Sequence, residues 1–181
     1  MSETDDDPLD GSALLKCRVN GQLYEVEIEP LMSLLEMLRT TLALTGTHMG
    51  CQTGHCGACT VTIDGQIAKS CLTLAASMSG RVITTLEGLA AQDGTLTLVQ
   101  QAFCDEAGFQ CAYCAPGMIF STIELLAITR DPSDAEIREA LAGNLCRCTG
   151  YQSIVRAVRT AAARQRGEQA HNDDSASGVS R

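Results

Sequence analysis

Eight of the ten cysteines in this 181-residue chain fall into two spaced sets. Cys51, Cys56, Cys59 and Cys71 read C-x4-C-x2-C-x11-C, and Cys111, Cys114, Cys146 and Cys148 read C-x2-C-x31-C-x-C. If four thiols are to meet at one centre, the chain around each set has to curl inward. Glycine supplies that freedom in the first set, MGCQTGHCGACTV, where Gly50, Gly54 and Gly57 permit unusual dihedrals and let amides approach closely. The opening MSETDDDPLD carries Glu3, Asp5, Asp6, Asp7 and Asp10 in place of the basic and apolar regions of a secretory signal. No apolar stretch is long enough to cross a bilayer. A cytoplasmic location is therefore expected, and there clustered cysteines point to metal more than to disulfides.

The first set has the spacing of a plant-type two-iron, two-sulfide site, a C-x4-C-x2-C run with a distant fourth cysteine. Loop amides can donate to cluster sulfurs and raise the potential. Structural zinc is the competing reading, but zinc ribbons use two short C-x-x-C knuckles and only Cys56–Cys59 fits one. A Rieske-like scheme through His55 would need two histidine ligands on one iron, and four cysteines already complete the set; His48 and His55 read as loop residues. In the second set helical segments separate the two pairs, and spacing alone leaves zinc open. Cys111 and Cys114 stand at the entrance to a helix opened by Pro116, whose amino end favours thiolate charge. Cys146 and Cys148 sit in GNLCRCTG ahead of the last helix, with Gly143, Asn144 and Gly150 suiting a tight backbone. Arg147 either offsets cluster charge or faces solvent or a partner. Cys17, in a strand, and Cys104, in an apolar helix, read as buried inert thiols.

The rest of the chain divides accordingly. Residues 1–12 form an acidic leader expected to be disordered. Residues 13–90 read as mixed strand and helix: strands Leu14–Val19 and Leu23–Ile28 about an Asn20–Gly21 turn, then a short helix Ser33–Arg39. Strands Thr60–Ile63 and Gln66–Ser70 follow about Asp64–Gly65, and Val82–Thr84 returns to the sheet. Ser33 and Glu36 have capping-box spacing, and Leu35 and Leu38 can face the sheet. Residues 91–164 read as four helices: Leu98–Glu106 capped by Thr97 and Gln100, the Pro116 helix to about Ile128, Ala135–Leu141 behind Ser133 and Glu136, and Tyr151–Ala163. Ile154, Val155, Val158 and Ala162 share one face of the last, with Arg156 and Arg159 toward solvent or a partner. Residues 165–181 are polar and expected to be disordered.

Composition removes other functions. The charge is −9, with 13 basic and 22 acidic residues, and no basic patch suits nucleic acid. No G-x-G-x-x-G, Walker loop or hydrolytic motif is present. The recognisable chemistry is one-electron chemistry supplied by a cofactor.

GCQTGHCGACTV, DGQIAKSCLTLA, QCAYCAPGM and GNLCRCTGYQSIVRAV together resemble the iron–sulfur subunit of the molybdenum hydroxylases, the xanthine dehydrogenase and aldehyde oxidoreductase family, from about Leu14 to Ala163. The likeness extends to the separate small subunit of carbon monoxide dehydrogenase-type assemblies. It implies an α+β chain: a β-grasp, plant-type 2Fe-2S ferredoxin-like domain followed by a four-helix 2Fe-2S-binding domain. It also implies electron transfer from a molybdopterin centre in a large subunit. The path would run through the Cys111/Cys114/Cys146/Cys148 cluster and the Cys51/Cys56/Cys59/Cys71 cluster to FAD in a medium subunit or to another acceptor, within a heterotrimer or its dimer. Gln110 matches a family glutamine that approaches the pterin across the interface. The family commonly has glycine and threonine where Ala112 and Ala115 stand; the first substitution reduces backbone freedom and the second removes a hydroxyl that could cap the Pro116 helix. The alternatives are a free two-cluster ferredoxin shuttling between enzymes and a zinc-stapled binding protein.

Overall fold

A computed structural model describes residues 13–167. The acidic leader and the tail beyond Gly167 lie outside the described residues.

Two turns with positive φ start the sheet. Asn20 and Gly21 (φ 51° and 81°) join β1 (Ala13–Val19) to β2 (Gln22–Ile28), and Asp64 and Gly65 (φ 50° and 85°) join β3 (Thr60–Ile63) to β4 (Gln66–Lys69). Such left-handed pairs match the twist of a tight hairpin, which is why Asn-Gly and Asp-Gly are used. β5 (Val82–Thr84) closes the order β2-β1-β5-β3-β4, parallel to β1 and antiparallel to β3. This is a β-grasp sheet. The alternation of β1 sends Leu15, Cys17 and Val19 into a core shared with Ile28, Val61 and Ile83.

The helix laid on that core is not the regular one expected. Only Leu34–Glu36 (α1) is α-helical, and Met37–Thr41 continues as a π-helical turn. Ser33 accepts from the Glu36 amide, while no reciprocal bond from the Glu36 side chain is present among the described residues. Leu34 of α1 and Met37 and Leu38 of the wider turn enter the sheet core; Leu35 is buried outside that cluster.

The helical half comprises α2 (Leu98–Asp105), α3 (Ala115–Ile128), α4 (Asp134–Leu141) and α5 (Gln152–Arg166). Both capping boxes form in full, Thr97 with Gln100 and Ser133 with Glu136. Each N-cap is worth about 1 kcal/mol. α3 is buried over every residue from Ala115 to Thr122. It packs on α2, α4 and α5 and also on β3 and β4, so these first eight residues have no solvent side to keep polar, whereas Glu124, Ala127 and Ile128 further on are exposed. α5 buries Ile154, Val155, Val158 and Ala162 as one stripe. Its arginines turn outward to acids: Arg156 to Glu106 and Arg159 to Asp134. The helix runs past Ala163. Gln165 and Arg166, assigned to the tail by their polarity, belong to its last turn and bond to the Leu126 and Arg130 carbonyls. No helix of the described residues is long and apolar enough to cross a membrane.

Candidate metal centres

The first loop connects the π-helical turn to β3. Gln52, Gly54 and Gly57 take φ of 56°, 80° and 75°, which folds the loop back on itself. Its amides consequently point at sulfur. The Cys56 and Thr53 N–H groups donate to Cys51 Sγ at 3.3 and 3.4 Å, and the Cys51 N–H donates to Cys56 Sγ at 3.4 Å. Gly50 is required by space: a Cβ there would stand 2.7 Å from Cys56 Sγ. Cys59 leads into β3. Ser70, at the end of the β4 hairpin, donates through both its amide and hydroxyl to the Cys59 carbonyl, which delivers Cys71 beside Cys59. Hydrogen bonds from the Thr53 hydroxyl and amide, then from the Cys56 amide, pull the Cys51 thiol down to about 5. Burial, and then the neighbouring Cys59, push Cys71 up to about 11.

The second set is assembled from two places. Cys111 and Cys114 flank Ala112 and Tyr113 between α2 and α3, and Cys114 is the N-cap of α3. Cys146 and Cys148 precede α5. Cys148 Sγ lies 3.5 Å from Cys111 Sγ and donates to it. The Tyr113 amide and Cys148 lower the Cys111 thiol, and donation to Cys111 raises that of Cys148. Burial and then Cys146 push Cys114 up to about 12. Burial also works to raise Cys146, but bonds from the Thr149 hydroxyl and amide outweigh it and leave that thiol lowered. Tyr151, left-handed at φ 69°, turns its hydroxyl back to accept from the Cys146 amide at 3.0 Å.

The two sets share a boundary. The Leu145 amide donates to the Cys56 carbonyl at 2.9 Å, and Lys69 Nζ reaches both Thr60 Oγ1 and the Gly143 carbonyl. Asn144 is buried and wedged at the junction. A Cβ on Gly57 would lie 2.0 Å from its Oδ1, and one on Gly117 would lie 2.3 Å from it. A cavity of about 370 Å³ opens between the sets, lined by Cys51 and Cys56 from one side and Cys111, Cys114, Cys146 and Cys148 from the other. Among the described residues no three His, Cys, Asp or Glu side chains form a group suited to one metal ion. A two-iron cluster would be held by four thiolates, which Cys51, Cys56, Cys59 and Cys71 could supply for one and Cys111, Cys114, Cys146 and Cys148 for the other. An all-sulfur donor set with amides aimed at sulfur fits that group.

Other expected residues fall as follows. His48 and His55 are not grouped with the thiols: His55 bonds Thr53 Oγ1 and His48 bonds the Tyr113 carbonyl. Cys17 is buried, and burial raises its thiol. Cys104 is exposed, contrary to expectation, because α2 buries Val99, Gln100, Ala102 and Phe103 on its other face. Gln110 is exposed next to Cys111, and Arg147 lines the cavity. Ala112 has φ 62°, a conformation costly for any residue with a Cβ. Ala115 is not the cap position; α3 begins on it, and Cys114 caps without a side-chain bond. Sequence reading missed Asn144 as a junction residue, Tyr113 as a bridge and Tyr151 as a support. Only the hydroxyl residues spaced about the cysteines, Thr53, Thr149 and Tyr151, hinted at donors to sulfur and to loop backbone.

Fold and site together define a protein with two 2Fe-2S clusters, one on a β-grasp sheet and one among helices. A family model described as a 2Fe-2S iron-sulfur cluster binding domain matches residues 17–90, and a second, a [2Fe-2S] binding domain, matches residues 85–159. The chain is 47% identical to the caffeine dehydrogenase subunit gamma of Pseudomonas sp. strain CBB1, over 82% of this chain and 90% of that one. It is 46% identical to the xanthine dehydrogenase iron-sulfur-binding subunit of Escherichia coli O157:H7, over 80% and 91%. The crystal structure of quinoline 2-oxidoreductase from Pseudomonas putida 86 superposes with a TM-score of 0.80 at 41% identity, covering 87% of this chain and 98% of the matched one. The chain belongs to the iron–sulfur small subunits of the molybdenum hydroxylase family. It is an electron-transfer subunit of an oxidoreductase.

Proposed function

We propose that this subunit carries electrons from a molybdopterin-binding large subunit to an FAD-binding medium subunit, in a cytoplasmic heterotrimer or its dimer. Cys111, Cys114, Cys146 and Cys148 hold the cluster on the molybdenum side, and Cys51, Cys56, Cys59 and Cys71 hold the one on the flavin side. The clusters supply one-electron chemistry when bound. The chain's own residues insulate the path, aim amides at sulfur and hold the two loops together. Residues 13–90 and residues 91–164, the latter extended by the last helix to Arg166, serve as the two cluster domains, and the exposed Gln110 faces the large subunit's pterin.

The observation that carries this reading is the shared boundary. A backbone hydrogen bond joins Cys56 of one set to the residue preceding Cys146 of the other. A free shuttle would need no such fixed two-centre relay, and the family comparisons favour the subunit. Caffeine, xanthine and quinoline, in the names of three relatives, are nitrogen heterocycles, while other relatives are aldehyde oxidoreductases, and the substrate proposed for the assembly belongs to one of these two classes.

The protein purified with its partners should contain about four irons and four acid-labile sulfides in this chain, with two distinct reduced EPR signals. Anaerobic addition of the substrate, sought among nitrogen heterocycles and aldehydes, should bleach the visible absorbance. A colourless zinc protein, or one that never copurifies with larger chains, would end the proposal.

A further inference from the structure

The two cysteine loops touch at a second place, through a reciprocal clasp. Tyr113 stands between Cys111 and Cys114, and its hydroxyl donates to the Met49 carbonyl at 2.5 Å. His48, just ahead of Cys51, returns the contact: its Nδ1 lies 2.8 Å from the Tyr113 carbonyl. A carbonyl only accepts, so Nδ1 carries the proton and donates. The two rings are stacked, with centroids 4.6 Å apart and planes 12° from parallel. Each side chain thus grips the other loop's backbone while the rings press together. His48 is anchored behind the clasp, where its amide donates to the Ala58 carbonyl at 3.1 Å and closes the first loop.

Tyr113 is 47% exposed, so core packing does not explain its placement. It also lines the cavity between the sets. The Leu145–Cys56 bond and the Asn144 wedge fix the boundary beside Cys146. The ring-stacked clasp fixes it at a separate point, beside Cys111 and Cys114.

We propose that Tyr113 and His48 are positioning residues that set the separation and relative orientation of the two clusters. With both clusters bound, the step they serve would be the passage of one electron between them, with no proton or ligand exchanged. Tunnelling falls steeply with distance and depends on orientation, so a loosened clasp slows it without removing either cluster. The inference rests on the two-cluster reading. Wild-type iron content and EPR test that reading separately, before any variant is made.

The test uses the assembled holoprotein, reduced with dithionite. Two neighbouring reduced centres split or broaden each other's EPR lines according to the vector between them. Tyr113→Leu and His48→Ala are expected to change that interaction while iron content stays at the wild-type level. Electron equilibration between the clusters should slow by about tenfold or more, in line with the sensitivity of reaction rates to small displacements. Tyr113→Phe, which keeps the stack and loses only the Met49 bond, should fall between wild type and Tyr113→Leu. Wild-type splitting and rate in both Tyr113→Leu and His48→Ala would overturn the proposal. Loss of iron from Tyr113→Phe would overturn it too, by making the residue one that retains a cluster.

Discussion

The two cysteine sets reach similar ends by different means. The first is largely local: three thiols within one glycine-shaped loop, shaped by amides of Thr53 and Cys56, with Cys71 brought in by an adjacent hairpin. The second is tertiary. Its two halves lie on separate segments, and they meet only because α2, α3, α4 and α5 pack as they do. The first set should therefore survive damage to distant packing, whereas the second should fail with the helical core.

Phe103→Ala tests this most severely. Phe103 is fully buried among the helices, and truncation should cost about 3–5 kcal/mol. The EPR signal of the second set should be lost first, at a temperature where the first persists; simultaneous loss would show one cooperative unit. Next in size is thiol reactivity in cluster-free protein. Cys51, lowered to about 5, is thiolate at pH 7 and loses reactivity only as pH falls through about 5. Cys114, raised to about 12, stays a thiol at pH 7 and gains reactivity only as pH rises toward that value. Allowing for the weaker intrinsic nucleophilicity of a low-pKa thiolate, iodoacetamide should modify Cys51 on the order of a hundredfold faster at pH 7. Equal rates by peptide mapping would remove this distinction between the sets.

Smaller effects probe the boundary and the loops. Gly57→Ala should cost about 2 kcal/mol or more, from its left-handed backbone and the collision with Asn144. Gly21→Ala is the control, with similar φ but nothing within 4 Å, and its thermal midpoint should drop less. Smallest is Ala112→Gly. Relief of the left-handed strain, offset by glycine's extra chain entropy, should leave a gain of about 0.5 kcal/mol in chemical denaturation. A loss would mean that the methyl's packing on the helical core outweighs its strain.

The same contrast governs what could be read from residues alone. The strands, both hairpin turns and the two complete capping boxes were legible because each depends on neighbours in sequence. The approach of Cys148 to Cys111, 3.5 Å apart, was expected from the spacing of the two pairs. The π-helical turn after Glu36 was not legible, since a regular and a widened turn share the same apolar pattern. Cys104 was misplaced because its apolar neighbours hide which side of α2 is covered. Asn144 and Tyr113 act across 87 and 64 positions, on Gly57 and Met49, and no local pattern carries such information.

The crowding of Asn144 against Gly57 and Gly117 has a consequence for how such chains change. Three residues from three segments meet where neither glycine has room for a side-chain carbon. A substitution at any of them must be answered at the others, so the sheet unit and the helical unit are not interchangeable modules. A chimera that joins either to a foreign counterpart should fold only if it inherits the whole triplet.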